Sequence, residues 1–525
     1  MAFTSFAGGA TARGGTLRVV SSQDVDSLDP ALWFEATSWS IGWATCSTLL
    51  TYPDKPAPIG SRLVPDAAVT MPAVLNRGRT YVFHLRKGLR FSNGQPLSAA
   101  NFAAEINRVL NPAMQAPAVG DGDIGPNVVG AQAVIDGKAK TTSGVIARGN
   151  TLTIELTQPR PDILSLLTLP WFCPIPTNLP VDPAGVDFVP GSGPYYVASR
   201  QVGQRVVLKR NPHYSGPRPS NTDQIVVSIT GTPESNIALV QRNGADLLWD
   251  EIPTELRVRL LARYGLNRSL FHVPVSSASS SFLFLNTSSP LFRNNPQLRR
   301  AINYAVDRPS LVRSVGFLTN RRTDQLLPPG MPGFRDVHIY PLRGPDLKTA
   351  RRLAAGHLRS GTAVFYATPS PQIQEIAGDL RYELKQIGIN LTIQTFASAV
   401  RFQKIETRGE PWDITFGFFI ADYFDPDQFV RFQYGGPELT GFPYGNLAWF
   451  DEPDVNQRIQ AASRLSGEAR YDAYNALDVY VLRRYAPIVP LRNPLDPWLA
   501  GPKLGCIYDH PWYSWDLASL CVKQG

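Results

Sequence analysis

The residues best placed to do chemistry lie between Trp412 and Phe429, W-D-I-T-F-G-F-F-I-A-D-Y-F-D-P-D-Q-F. An apolar run, Ile414 to Ala421, gives way abruptly to Asp422, Tyr423, Phe424, Asp425, Pro426 and Asp427. A short apolar run bounded by turn residues suits a buried strand, and periodicity alone leaves a buried helix segment open. If it is a strand in an α/β lobe, Asp422 stands at its carboxyl end, where such sheets place ligands. The competing reading is structural, because Asp425 before Pro426 is a good arrangement for capping a helix. On these local residues alone the capping reading leads.

Other chemistries find little support. The six histidines are scattered and form no H-E-x-x-H or Cys/His cluster, so no metal site is expected. There is no P-loop, no G-x-G-x-x-G after a strand and no G-x-S-x-G, and no cofactor is called for. Ser192 lies between glycines in G-S-G-P-Y. A tight turn explains that spacing better than a nucleophile elbow, and a serine hydrolase would also need a histidine and an acid folded beside Ser192.

The elements that must position the acidic cluster alternate between strand and helix. Thr16–Ser21 reads as a first strand and 36–50 as a helix, in a region crowded with Trp33, Phe34, Trp39 and Trp43. Aromatics at that spacing are more often core than ligand contacts. Strand 80–85 and segment 89–91 flank a turn, and Asn93-Gly94 follows as a hairpin signal. Ser98 caps a helix whose apolar face is Phe102, Ile106, Val109 and Leu110. Later, helix 372–387 presents Ile373, Ile376, Ala377, Leu380, Leu384 and Ile387, followed by strand 389–394, helix 399–407 and the opening stretch. Strands alternating with helices predict βαβ units and partly parallel sheets. Pro- and Gly-rich crossings at 52–65 and 170–190 mark domain edges.

Length and composition set the bounds. At 525 residues the chain holds two to four domains, and 43% hydrophobic content is ample for their cores. The net charge is +8, yet no dense Lys/Arg cluster appears, so a nucleic-acid partner is not expected. No apolar run reaches the roughly 18–20 residues that span a bilayer, which predicts a soluble chain. The stretch Met1–Gly15 has neither the charged region nor the apolar region of an export signal, which fits a cytosolic start or a removed signal. Four cysteines, Cys46, Cys173, Cys506 and Cys521, permit two disulfides or four buried thiols. The short Cys506–Cys521 loop is the favoured bridge, with Cys46–Cys173 as the remaining pair.

A resemblance emerges from several stretches taken together. They are G-G-T-L-R-V and D-S-L-D-P within 14–30, L-V-P-D-A-A at 63–68, and Y-V-F-H-L-R-K-G-L-R-F-S-N-G-Q-P-L-S-A at 81–99. Then come G-S-G-P-Y at 191–195, V-V-L-K-R-N-P-H-Y at 206–214, L-F-L-N at 283–286 and N-P-Q-L-R-R-A-I-N-Y-A-V-D-R at 295–308. Last are L-K-Q-I-G-I at 384–389 and A-D-Y-F-D-P-D-Q-F at 421–429. In this order over one chain they resemble the oligopeptide/dipeptide-binding family (family 5) of extracytoplasmic solute-binding proteins of ABC importers. The departures are modest: Ser192 where the family usually has Thr, Asn294-Asn295 where acids are common, and Leu298 for Val.

The resemblance implies an α/β, two-lobed periplasmic-binding-protein-like fold (type II, cluster C) with an additional small domain and a hinged interlobe cleft. Lobe one would comprise 14–55, 186–273 and 487–525, the additional domain 56–185, and lobe two 274–486. Cys506 and Cys521 then share a domain, which favours their bridge. The implied function is non-enzymatic: capture of a peptide or similar amine-bearing molecule by a periplasmic or lipid-anchored monomer, and delivery to a membrane permease. Relatives of this kind also bind oligosaccharides, opines, antibiotics or nickel complexes. In the family an Asp at the position of Asp422 commonly holds a peptide's free amino group. Phe419 and Tyr423 would flank it, Trp33 and Phe34 would face the cleft from the other lobe, and Arg401 and Arg408 are candidates for a ligand carboxylate.

Overall fold

The computed structural model describes residues 13–120, 127–274, 278–314, 320–436, 445–512 and 515–523. The chain divides into two compact units, Met1–Val273 with Asp496–Gly525, and Pro274–Leu495.

The first unit is built on a five-stranded sheet in the spatial order Leu247–Leu248, Thr16–Ser21, Gln224–Ile229, Arg205–Arg210, Tyr195–Gln201. Its first three strands are parallel, and the helix Pro233–Gln241 supplies the crossover between Gln224–Ile229 and Leu247–Leu248. Leu17, Val19, Val206, Leu208, Ile225 and Val227 are fully buried along it. A second, antiparallel sheet runs Ala73–Leu75, Thr80–His84, Thr151–Glu155, Val145–Arg148, all inside the 56–185 segment. The helix Ala99–Leu110 packs on it, started by a capping box between Ser98 and Asn101 and burying Phe102, Ile106, Val109 and Leu110.

The helix expected over 36–50 ends early, at Thr45. Cys46 is extended and bridged to Cys173, and Leu50–Thr51 instead forms a short strand with Val64–Pro65. The apolar Leu49-Leu50 pair mimics a helix face, but the bridge and the strand claim the backbone. All four cysteines are paired, as Cys46–Cys173 and Cys506–Cys521.

The second unit holds a six-stranded mixed sheet in the order Asn320–Arg322, Ile488–Pro494, Ser279–Leu285, Ile414–Ile420, Thr362–Ala367, Asn390–Thr395. One face is covered by the helices Pro296–Ala305, Leu347–Ala354 and Pro371–Lys385. From them Leu298, Ile302, Ala350, Ile376, Leu380 and Leu384 meet Leu283, Leu285, Phe365 and Ile414. The helices Pro426–Tyr434, Pro453–Ala462 and Gly467–Arg484 pack on one another. The strand Ile488–Pro494 pairs with Ser279–Leu285, so the boundary between the units falls at Leu495/Asp496.

Candidate ligand-binding site

The strand Ile414–Ile420 is central at its start and an edge at its end. It pairs antiparallel with Ser279–Leu285 along its whole length, from Leu285↔Ile414 to Ser279↔Ile420. On the other side it meets Thr362–Ala367 only at Phe365↔Ile414 and Tyr366↔Thr415. Thr362–Ala367 ends one residue after this pairing, and beyond Thr415 no strand among the described residues pairs with that edge. Arg401, from the helix Ser398–Ile405, stands at the start of that edge. Its Nη1 donates to Thr415 Oγ1 (2.7 Å) and Phe416 O (3.1 Å).

Side chains on this strand alternate between two faces, as a pleated backbone requires. On one face Gly417 lies beneath Phe284, whose ring stands 2.3 Å from where a Cβ would be, and Phe419 packs edge-on to Phe429 at 5.0 Å. On the other face Phe418 and Ile420 are 61% and 56% exposed. Two large apolar side chains are thus left open at a strand end, with Asp422 two residues further on, and an exposed apolar pair of this kind makes the strand end a candidate site. By the same alternation the main-chain groups of Phe418 and Ile420 lie along the edge that Thr362–Ala367 has left.

The acidic cluster sorts itself by partner. Asp425 caps the helix Pro426–Tyr434, accepting the Asp427 N–H (2.9 Å), with Pro426 at the first helical position. Its other oxygen meets Arg470 Nη1 at 2.6 Å, both side chains almost fully buried. Asp427 accepts from Arg431 Nε (2.6 Å) and from the Tyr474 hydroxyl. Both carboxylates are structural. Asp422 is half-buried, and its Oδ2 accepts from Gln428 Nε2 at 3.0 Å. The Oε1 of the same glutamine accepts the N–H of Asp422 (2.5 Å) and of Tyr423 (3.1 Å).

The other expected contacts distribute unevenly. Phe419, Tyr423, Trp33 and Arg401, read from the sequence as facing a ligand, are interior side chains. Phe419 is on the face opposite Phe418, and Tyr423 is fully buried. Arg401 is also not the surface arginine that is commonest for its type: burial lowers its pKa, and its hydrogen bonds go to neutral acceptors at the strand edge. Arg408 is exposed, 6.0 Å above the Trp449 ring. In the first unit Trp33 sits in a cage: its carbonyl accepts Trp39 Nε1 (3.2 Å) and Trp171 Nε1 (2.6 Å), and its own Nε1 donates to Ser27 O (3.1 Å). The Cys46–Cys173 bridge packs in that cluster. The cage fixes the backbone from which Phe34, 60% exposed, projects.

Ser192 does not have the surroundings of a nucleophile. It is buried, its Oγ accepts the Ser47 N–H at 2.9 Å, and its other neighbour is Cys173 Sγ at 3.9 Å. No histidine bonds it among the described residues. Phe418, Ile420 and Gln428 are the residues that sequence reasoning missed as site candidates. Counting back in twos from Asp422 would have found the first two.

Comparison with known proteins agrees with this architecture. The family model for bacterial extracellular solute-binding proteins, family 5, matches residues 62–441. A probable D,D-dipeptide-binding periplasmic protein of Escherichia coli, DdpA, is 24% identical over 455 residues, 85% of this chain and 82% of the relative. The dipeptide-binding protein DppE of Bacillus subtilis is 21% identical over 516 residues, 94% of this chain and 90% of the relative. Among solved structures, the clavulanic acid biosynthesis oligopeptide binding protein 2 superposes with a TM-score of 0.85 at 26% identity. That match covers 98% of this chain and 96% of the other. The unliganded open form of the murein tripeptide binding protein MppA gives 0.82 at 20% identity, covering 98% of each. With an α/β periplasmic-binding-protein fold and a family match over most of its length, the chain belongs to the family 5 bacterial extracellular solute-binding proteins.

Proposed function

We propose that this protein captures a short peptide, or a similar molecule with a free amine, in a cleft between its lobes and hands it to an ABC permease. The observation that carries the reading is the end of the Ile414–Ile420 strand. There a held carboxylate, Asp422, follows two exposed apolar side chains, Phe418 and Ile420, along a strand edge with which no other strand pairs among the described residues. An extended peptide laid along such an edge gains main-chain hydrogen bonds from the strand and specificity from alternate side chains. Its ammonium would meet Asp422.

Magnitudes assign the parts. One charge-assisted hydrogen bond contributes about 1.5–3 kcal/mol, whereas micromolar affinity needs about 8. Asp422 therefore sets register and chemical class, while strand-edge bonds, cover of Phe418 and Ile420, and closure of the lobes supply most of the affinity. Closure is a population shift, driven by a ligand that touches both lobes. Phe34 is the candidate contact from lobe one. Two disulfides fit an oxidising, extracytoplasmic compartment.

The exposed Phe418–Ile420 pair also suits an apolar body, and one relative, 26% identical, is named a probable deoxycholate-binding periplasmic protein. A bile acid has no ammonium for Asp422 to meet, which disfavours that ligand here. Native mass spectrometry of the protein purified from its host is the test. A retained mass matching a peptide is the expected result; a retained bile acid or carbohydrate would overturn the assignment.

A further inference from the structure

Gln428 stands six residues beyond Asp422 and reaches back to it from the first turns of the helix Pro426–Tyr434. Its side chain is fully buried and makes three hydrogen bonds at one end. Oε1 accepts the N–H of Asp422 and of Tyr423, at 2.5 and 3.1 Å, and Nε2 donates to Asp422 Oδ2 at 3.0 Å. A primary amide offers an acceptor and a donor side by side at any pH, which a carboxyl group does only while protonated. A glutamate in the ionised form could take the two backbone N–H groups but would face Asp422 with a second negative charge.

The glutamine is itself held. The helix that carries it is capped by Asp425, which is locked to Arg470, and its first turn is tied down by Asp427 to Tyr474 and Arg431. Rigid support therefore runs from the helix Gly467–Arg484 through the capped turn to Gln428, and from Gln428 to one carboxylate oxygen. The backbone half of the clamp is sufficient to shape the turn. The Nε2 half is aimed at the carboxylate, and a turn does not require it.

We propose that Gln428 is a positioning residue for Asp422, fixing the plane of its carboxylate so that a ligand ammonium is met in one orientation. The proposal rests on the reading of Asp422 as the amine contact. A carboxylate free to rotate would have to be ordered on binding, whereas one already clamped by a buried amide avoids that cost. The selectivity for a free amine over a blocked one should then depend on Gln428 as well as on Asp422.

The probe is an equimolar pool of synthetic tri- to pentapeptides, half of them N-acetylated, and the readout is the ratio of free to acetylated peptide retained, by mass spectrometry. Wild type should favour the free amine, and Asp422→Ala should abolish the preference. Gln428→Met should lower it by about tenfold, with a thermal melt reporting on folding. Gln428→Glu keeps the backbone acceptor, so it carries the test if the methionine variant does not fold. Near pH 8 its charge should turn the Asp422 carboxylate away and lower the ratio. Near pH 5 a proton held between the two acids restores a donor, and the ratio should recover. If Asp422→Ala abolishes the preference while Gln428→Glu follows wild type at both pH values, or shows a raised ratio at pH 8, the positioning role is overturned and the Asp422 reading stands. If wild type shows no preference, or Asp422→Ala keeps it, the Asp422 reading fails and this proposal with it.

Discussion

Arg108 grips Asp29 through both terminal nitrogens, Nη1 to Oδ1 at 2.6 Å and Nη2 to Oδ2 at 2.5 Å, with both side chains almost wholly buried. Asp29 is the second acid of D-S-L-D-P and also accepts the N–H groups of Ala31 (3.1 Å) and Val186 (2.9 Å). Arg108 lies on the helix Ala99–Leu110, which packs on the antiparallel sheet of the 56–185 segment, and its Nε donates to Pro180 O at 2.7 Å. The pair therefore fastens that segment to the loop leading to Trp33 and Phe34. Glu105, also buried beside Arg108, has its pKa pushed up to about 8 by burial.

Breaking this pair from one side should be costly. Arg108→Ala leaves Asp29 buried without its counter-charge and should lower stability by about 3–5 kcal/mol, read from urea unfolding. The double variant Asp29→Asn/Arg108→Met removes both charges and should lose much less. Equal losses in the two variants would show that packing, not charge, dominates.

The two disulfides should differ in weight. Cys46 and Cys173 are 127 residues apart and Cys506 and Cys521 are 15 apart. The chain-entropy model then assigns about 5 kcal/mol to the longer loop and about 3 to the shorter. Replacing Cys46 and Cys173 by serine should cost more, measured under the same denaturant. Because the bridge packs against the Trp33–Trp39 cluster, its loss should also shift tryptophan emission, and the Cys506/Cys521 pair serves as the comparison. Identical losses would argue that the unfolded chain retains structure around one of the loops.

Much of this was legible in the chain because local rules and tertiary demands agree there. Asp425-Pro426 caps the helix that its residue types predict, and Phe102, Ile106, Val109 and Leu110 are buried as their spacing requires. The site itself was only half legible. Phe416, Phe418, Phe419 and Ile420 contain no polar residue to mark which face is outward, so the run by itself could not say that Phe418 is exposed and Phe419 buried, and only the two-residue count back from Asp422 points to Phe418 and Ile420. Gln428 meets Asp422 across a loop and a helix cap, a spacing with no periodic signature. Arg401 is buried against Thr415 and Phe416, where the pairing of two parallel strands stops, which is a property of the sheet and not of the sequence around Arg401.

Glu383 offers a pH test. It is 6% exposed on the helix Pro371–Lys385, and burial, with Asp307 and Asp379 nearby, pushes its pKa up to about 8. The folded state therefore keeps a proton that the unfolded chain releases above about pH 4.3. The stabilisation is present at low pH, is lost progressively as pH rises toward 8, and is constant above that. Glu383→Gln mimics the protonated form and removes this loss. Relative to wild type, the variant should gain stability steadily from about pH 5 to pH 8, by on the order of 2–4 kcal/mol. A difference between variant and wild type that is flat across this range would place the carboxyl in a solvated, ordinary environment.

Asp422→Asn separates recognition from folding. An asparagine keeps the backbone N–H that Gln428 Oε1 accepts, and its carbonyl oxygen can take the bond from Gln428 Nε2 that Asp422 Oδ2 takes now. That choice leaves its NH2 group in the place of the other carboxylate oxygen, the one the proposed reading offers to a ligand ammonium. A donor then faces a donor, and the charge attraction is gone. The melting temperature should be unchanged. Affinity for peptides with a free α-amine should fall by about 10- to 100-fold in isothermal titration, the equivalent of one charge-assisted bond. N-acetylated peptides should bind both proteins alike. Unchanged affinity for a free-amine ligand would mean that the carboxylate serves only the turn it shares with Gln428, and that the ammonium is met elsewhere on the strand edge beside Phe418 and Ile420.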